Sequence, residues 1–187
     1  MICGHIGVAF GVRALRPDVP LGWLLAASVA PDVLDGIESL SHVWGPDGLY
    51  SHSLPVIAAL IIVLSGAALL NLGTRLAAVL VGAMVLAHLL PDYITGQKIL
   101  WANGPVIGLN LYRWPFLDFA LEVPVIVLGW WMLRRAAADA RWITSWLALL
   151  ALVATQAAFN VSQLGQDHSS YSSRHARQHH RSLVPPE

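Results

Sequence analysis

The chain has 187 residues, 56% of them hydrophobic and 12% charged, with a mean hydropathy of +0.61; soluble domains carry about a quarter charged residues, so this is a membrane-protein composition. A formal charge of zero leaves no basic field to recruit nucleic acid, and the single Cys3 excludes an intramolecular disulfide. The length suits one membrane-embedded helical domain, predicted over residues 1–164, followed by a tail over 165–187.

Taken in order, the apolar segments begin with two short ones, about 2–15 and 21–38, separated by the turn "RPDVP". The first reaches only about 20 Å as a helix, so these two are expected to tilt or to re-enter as a hairpin. The arginines of "MICGHIGVAFGVRALRP" follow the apolar stretch, the reverse of a signal peptide, and the segment is read as part of the mature protein. Four longer stretches read as transmembrane helices: about 54–73, 76–94, 115–133 and 142–164. The expected fold is therefore an all-α, polytopic transmembrane helix bundle of five to six segments. Residues 165–187 are polar, without apolar periodicity, and read as disordered.

If each segment crosses or doubles back, Arg13, Arg16, Arg75, Arg134, Arg135 and Arg141 gather on one side. The opposite loops, 39–53 and 95–114, hold only Lys98 and Arg113, although the tail adds Arg174, Arg177 and Arg181. The positive-inside rule assigns the first set to the cytoplasm. In a bacterium this would be the inner membrane.

An ionisable side chain at membrane depth costs several kcal/mol on most scales and normally faces the bundle interior or a cavity with a partner. His5 starts the first segment, Asp32 and Asp35 end the second, His52 precedes the third, His88 and Asp92 end the fourth, and Asp118 and Glu122 start the fifth. On the topology above all of them lie toward one face, the non-cytoplasmic one. His88/Asp92 and Asp118/Glu122 are spaced i, i+4 and Asp32/Asp35 i, i+3, so each pair shares a helix face. Mixed imidazole and carboxylate groups converging from several helices are the donor set of a divalent metal ion, zinc or manganese for example.

Other readings compete at individual positions. His42, Glu38 and Asp47 read as solvated loop residues, and Asp118 as an interfacial residue near a helix start. Asp35 either flanks a helix end or supports a ligand. His52 in "YSHS" lies at a loop-to-helix junction, and spacing alone leaves its role open. His168, His175, His179 and His180 form a loose His-rich tract that reads as a disordered tail. His88, Asp92 and Glu122 are flanked by apolar sequence on both sides and read as functional.

"GHIGVAFGVRALRPDVPLGWLLAASVAPDVLDG", "YSHSL", "AHLLPDYITG" and "GLNLYRWPFLDFALEVPVIVLGWWMLRR" resemble, in the same order, segments of the membrane-bound metal-dependent hydrolase family, over about residues 4–135. The resemblance implies His5, Asp32, His52, His88, Asp92 and Glu122 as the polar site. The chain departs from the family where relatives often continue Asp-x-x-Thr-His-Arg-Pro: it reads "DYITGQKIL", with Gly96 in the histidine position. One possible ligand is thereby absent.

The expected function is metal-dependent hydrolysis within the membrane. His52, His88 and Asp92 would hold the metal, His5 and Asp32 would serve as further ligands or orienting groups, and Glu122 as general base. The depth of the site suits an amphiphilic small-molecule substrate presented among membrane lipids, such as a lipid ester or phosphoester. Two rival classes use the same residues: an ion- or proton-coupled transporter, and a non-catalytic membrane adaptor with a polar core.

Overall fold

A computed structural model describes residues 3–41, 50–102, 104–136 and 142–162. Among these, six helices run in chain order: α1 Cys3–Leu15, α2 Leu21–Ser41, α3 Leu54–Leu72, α4 Arg75–Thr95, α5 Pro115–Ala136 and α6 Trp146–Ser162. His42, Asp47 and the whole tail with its histidines lie outside the described residues.

The helix limits follow local chemistry. Pro55 in the first turn of α3 suits a position where no backbone N–H is needed, and Gly73 closes that helix with φ +68°, donating its N–H to the Leu69 carbonyl at 3.0 Å. Thr74 then caps α4, its hydroxyl accepting from the Ala77 N–H at 3.3 Å.

Three helices, α3, α4 and α5, are long and apolar enough to cross a membrane. All six expected segments contain a helix, and among the described residues these three reach the length and hydropathy of a span. Helices α1 and α6 are shorter apolar helices, and the 21-residue α2 carries Asp32, Asp35 and Glu38 in its second half. The 19 residues of α3 extend about 28 Å at 1.5 Å per residue, close to the hydrocarbon thickness. They leave Ile62 72% and Leu70 87% exposed, surfaces that water would not tolerate over a whole helix but that lipid solvates.

Packing arranges the helices around α1, which contacts α5 on one side and α2 on the other, while α4 joins α2 to α3. Where α1 crosses α5 the backbones meet: a Cβ at Gly7 would lie 2.6 Å from the Val125 carbonyl oxygen, and one at Gly129 would overlap the Gly7 carbonyl. Small residues at such a crossing allow the dispersion contact that holds helices together in lipid. Phe10 of α1 with Ile126, Trp130 and Leu133 of α5 and Leu149 of α6 form one apolar cluster. A second gathers Ala9, Leu24, Ala27, Ile57, Val81 and Val85.

The stretch after α4, expected as plain loop, contains a small antiparallel hairpin, β1 Lys98–Ile99 with β2 Val106–Ile107, in register Lys98 to Ile107. It is fastened at both ends. The Leu54 N–H donates to the Leu100 carbonyl at 2.8 Å, and the Leu109 N–H to the Tyr93 carbonyl at 2.9 Å. Gly96 lies under this hairpin, its carbonyl accepting from the Asn110 N–H at 3.2 Å, while Gly108, at φ +134°, passes too close to that carbonyl for any side chain.

Candidate metal centre

The start of α1, the end of α2, the loop before α3, the end of α4 and the start of α5 meet at one end of the bundle, and the histidines and carboxylates singled out in the sequence lie there. Asp32, His52, His88 and Asp92 each offer one ligand atom, and these atoms all lie within 4.8 Å of one another. His52 Nε2 is 2.8 Å from Asp92 Oδ2 and 3.0 Å from His88 Nε2. His88 Nε2 is 3.4 Å from Asp92 Oδ2, and Asp32 Oδ1 is 3.6 Å from both imidazole Nε2 atoms. Tetrahedral ligands with bonds of about 2.0–2.1 Å stand about 3.3 Å apart, in the middle of these values.

The opposite edges of the two rings decide what the Nε2 atoms can do. His88 Nδ1 is 2.6 Å from the Ser28 carbonyl oxygen, which can only accept, so Nδ1 carries the proton and Nε2 presents its lone pair. His52 Nδ1 lies 2.9 Å from Ser51 Oγ, 3.3 Å from Asp35 Oδ1 and 3.4 Å from Lys98 Nζ; of the two charged neighbours the carboxylate is the nearer and favours a proton on Nδ1. Two imidazole lone pairs and two carboxylates then converge with no donor among them. Such a group is suited to hold a cation at its centre.

In the ion-free protein that cation is a proton. Burial disfavours the imidazolium of His52, but its hydrogen bonds to Asp32, Asp35 and Asp92 outweigh burial and push its pKa up to about 10. The proton then sits on Nε2 and donates to Asp92.

Local sequence places each group. Ser28, Asp32, Asp35 and Glu38 advance by four, three and three residues, a single stripe along α2. Pro31 and Pro91 each precede a candidate aspartate ligand and remove one ladder hydrogen bond from its turn; the turn at Pro31 contains the Ser28 carbonyl that turns to His88. Glu38 is buried, not solvated as its sequence context suggested. Its Oε2 accepts the Tyr50 and Ser51 N–H groups at 2.8 and 3.2 Å and so holds the backbone that carries His52.

His5 stands beside the four, not among them. Its Nε2 is 3.1 Å from Asp92 Oδ1, the oxygen turned away from His52, and its ring stacks on that of His88 with centroids 3.7 Å apart. It orients two of the candidate ligands. Glu122 is completely buried and its Oε2 accepts the Gly4 N–H at 3.2 Å, so it caps α1 one residue before His5 and connects to the four through that helix.

Asp118, expected at the interface, is completely buried as well. Asn160 Nδ2 donates to its Oδ2 at 2.8 Å and to the Pro115 carbonyl at 2.9 Å, and Gln156 donates to Asn160 and accepts the Cys3 N–H. Gln156 and Asn160, i, i+4 in the largely apolar α6, were legible as another polar pair but were missed.

Lys98 was also missed as a site residue. Its Nζ lies 3.5 Å from Asp35 Oδ2 and 3.7 Å from Asp92 Oδ2. The available signal was composition: it is the chain's single lysine.

Burial gives the centre a direction. The side chains of His5, His52, His88 and Asp92 are at most 2% exposed, whereas Asp32, Asp35 and Lys98 retain 29%, 22% and 19%. The last three form its mouth. No family model, curated protein or solved structure matches the chain.

Proposed function

We propose that this chain is an integral membrane metalloenzyme that hydrolyses an ester or phosphoester of an amphiphilic substrate, with a zinc-class divalent ion held by His52, His88 and Asp92. The observation that carries the reading is the convergence of four acceptor atoms whose imidazole protons are committed to Ser28 and Asp35 on the far side of each ring. The motif resemblance to membrane-bound metal-dependent hydrolases agrees with it.

Three enclosed ligands and one more exposed group fit a catalytic site better than a closed structural one, because a catalytic ion keeps a position for water or substrate. A zinc-class ion supplies Lewis acidity there and lowers the pKa of water toward neutrality. Asp32, the most exposed and most distant of the four, takes the proton of the attacking water in this reading. Glu122, the base expected from the sequence, is engaged with the start of α1. The site lies at one end of the bundle, and the arginine distribution in the sequence supports assigning that end to the non-cytoplasmic face, where a lipid-borne polar group would meet it.

Purified, zinc-loaded protein assayed against carboxylic esters, phosphate esters and phospholipids tests the reading. Turnover that disappears on metal removal, in His88→Ala and in Asp92→Asn is expected. Asp32→Asn is expected to lose at least a hundredfold in kcat, and Glu122→Gln, which keeps an acceptor for Gly4, less than tenfold. Turnover indifferent to His88→Ala, or absent from the loaded protein on every substrate class, would sink it.

A further inference from the structure

The mouth of the centre is asymmetric in charge, and the asymmetry comes from Lys98. Its ammonium lies 3.5 Å from Asp35 Oδ2 and 3.7 Å from Asp92 Oδ2, on a hairpin fastened to the end of α4 and the start of α3. It is the one ammonium side chain available to the chain. With 19% of its side chain exposed, it is positioned both against the carboxylates and toward whatever enters.

We propose that Lys98 makes this centre selective for a phosphate group, binding one phosphate oxygen while the metal ion takes another. The inference rests on the metal-binding reading above and names the substrate class for it. Asp32, Asp35 and Asp92 against Lys98 and the protonated His52 leave one negative charge, so the ion-free mouth repels anions. A divalent ion that displaced the His52 proton would cancel that charge and engage Asp92, leaving the ammonium free for an incoming oxyanion. A lysine serves phosphate as a point charge. A phosphate monoester carries about 1.5 to 2 negative charges and offers separate oxygens to both cations, whereas the single charge of a carboxylate is satisfied by the ion alone.

Lys98 therefore has opposite effects on the two ligands. As a cation beside two carboxylates it competes with the metal, so its removal leaves zinc binding unchanged or tighter. As the second anchor for phosphate, its removal weakens phosphate binding. A residue that merely braced the hairpin would weaken both together.

The experiment measures zinc affinity by competition with a chromophoric chelator, and inorganic phosphate affinity by calorimetry on the zinc-loaded full-length protein, for wild type, Lys98→Ala and Lys98→Arg. Expected are phosphate binding that requires zinc, a loss of tenfold or more in Lys98→Ala without loss of zinc affinity, and partial recovery in Lys98→Arg. Acetate, the carboxylate control, is expected to bind weakly and without regard to residue 98. Nanodiscs of phosphatidylcholine with added phosphatidic acid identify the source of the group. Phosphatidic acid that displaces phosphate supports a lipid-borne monoester, and phosphate that stays bound supports a soluble one.

Three results would overturn the proposal: phosphate affinity equal in wild type and Lys98→Ala, acetate showing the same dependence on Lys98, or phosphate binding that ignores zinc. Failure of the underlying reading has a different signature, wild-type protein that takes up no zinc at all. In that case the phosphate site falls with it.

Discussion

At the scale of single residues, the centre depends on the partners behind the ligands as much as on the ligands. His88 takes its tautomer from a backbone carbonyl, which no side-chain substitution removes, but His52 takes its own from Asp35. Asp35→Asn is therefore expected to weaken zinc binding by about ten- to a hundredfold, the usual effect of losing a carboxylate behind a ligating histidine; chelator competition reads it directly. The raised pKa of His52 has a further consequence. Below about pH 10 the ion-free ring holds a proton on the atom that must bind metal, so the ion has to displace it. Zinc affinity is expected to rise by about tenfold per pH unit between pH 7 and 9, with release of about one proton per ion in calorimetry performed in buffers of different ionisation enthalpy. Affinity independent of pH over that range would contradict the assignment of His52 as a ligand.

At the scale of elements, the stripes along α2 and α4 were legible because helical periodicity is a local rule: His88 and Asp92, or Asp32 and Asp35, share a face wherever the helices end up. Which stripe meets which was legible only through alternation of the segments and the motif resemblance, and the structure brings His5, Asp32, His52, His88 and Asp92 close together. The partners of Glu38, Glu122 and Lys98 were not legible. Glu38 and Glu122 bind backbone N–H groups, which leave no trace in residue type, and Lys98 reaches the centre through a hairpin that a two-residue strand pattern does not announce. Glu38→Ala, which releases the backbone before His52, is expected to lower zinc affinity, whereas Glu38→Gln, which keeps an acceptor, recovers most of it. Gly129→Leu should separate α1 from α5 where their backbones touch. Overpacking of this kind costs about 1–3 kcal/mol, and a lowered thermal midpoint in detergent is the expected readout.

At the scale of the whole molecule, composition and segment length pointed to a helical bundle with membrane-like helices, and among the described residues three of the six helices are long and apolar enough to cross a membrane. α2 exchanges apolar length for the carboxylates of the centre. The described bundle thus combines three helices long and apolar enough to cross a membrane with other helices whose polar ends supply or brace the site. The central claim is that this end of the bundle exists to hold a metal ion. It is tested most directly by elemental analysis of the purified full-length protein, with His168, His175, His179 and His180 changed to serine so that the tail contributes nothing, beside the same protein carrying His88→Ala. The account predicts one equivalent of a divalent metal in the parent and its loss in the His88→Ala protein. A folded parent that contains no metal after zinc and manganese are supplied, or a His88→Ala protein that keeps its full equivalent, would contradict it.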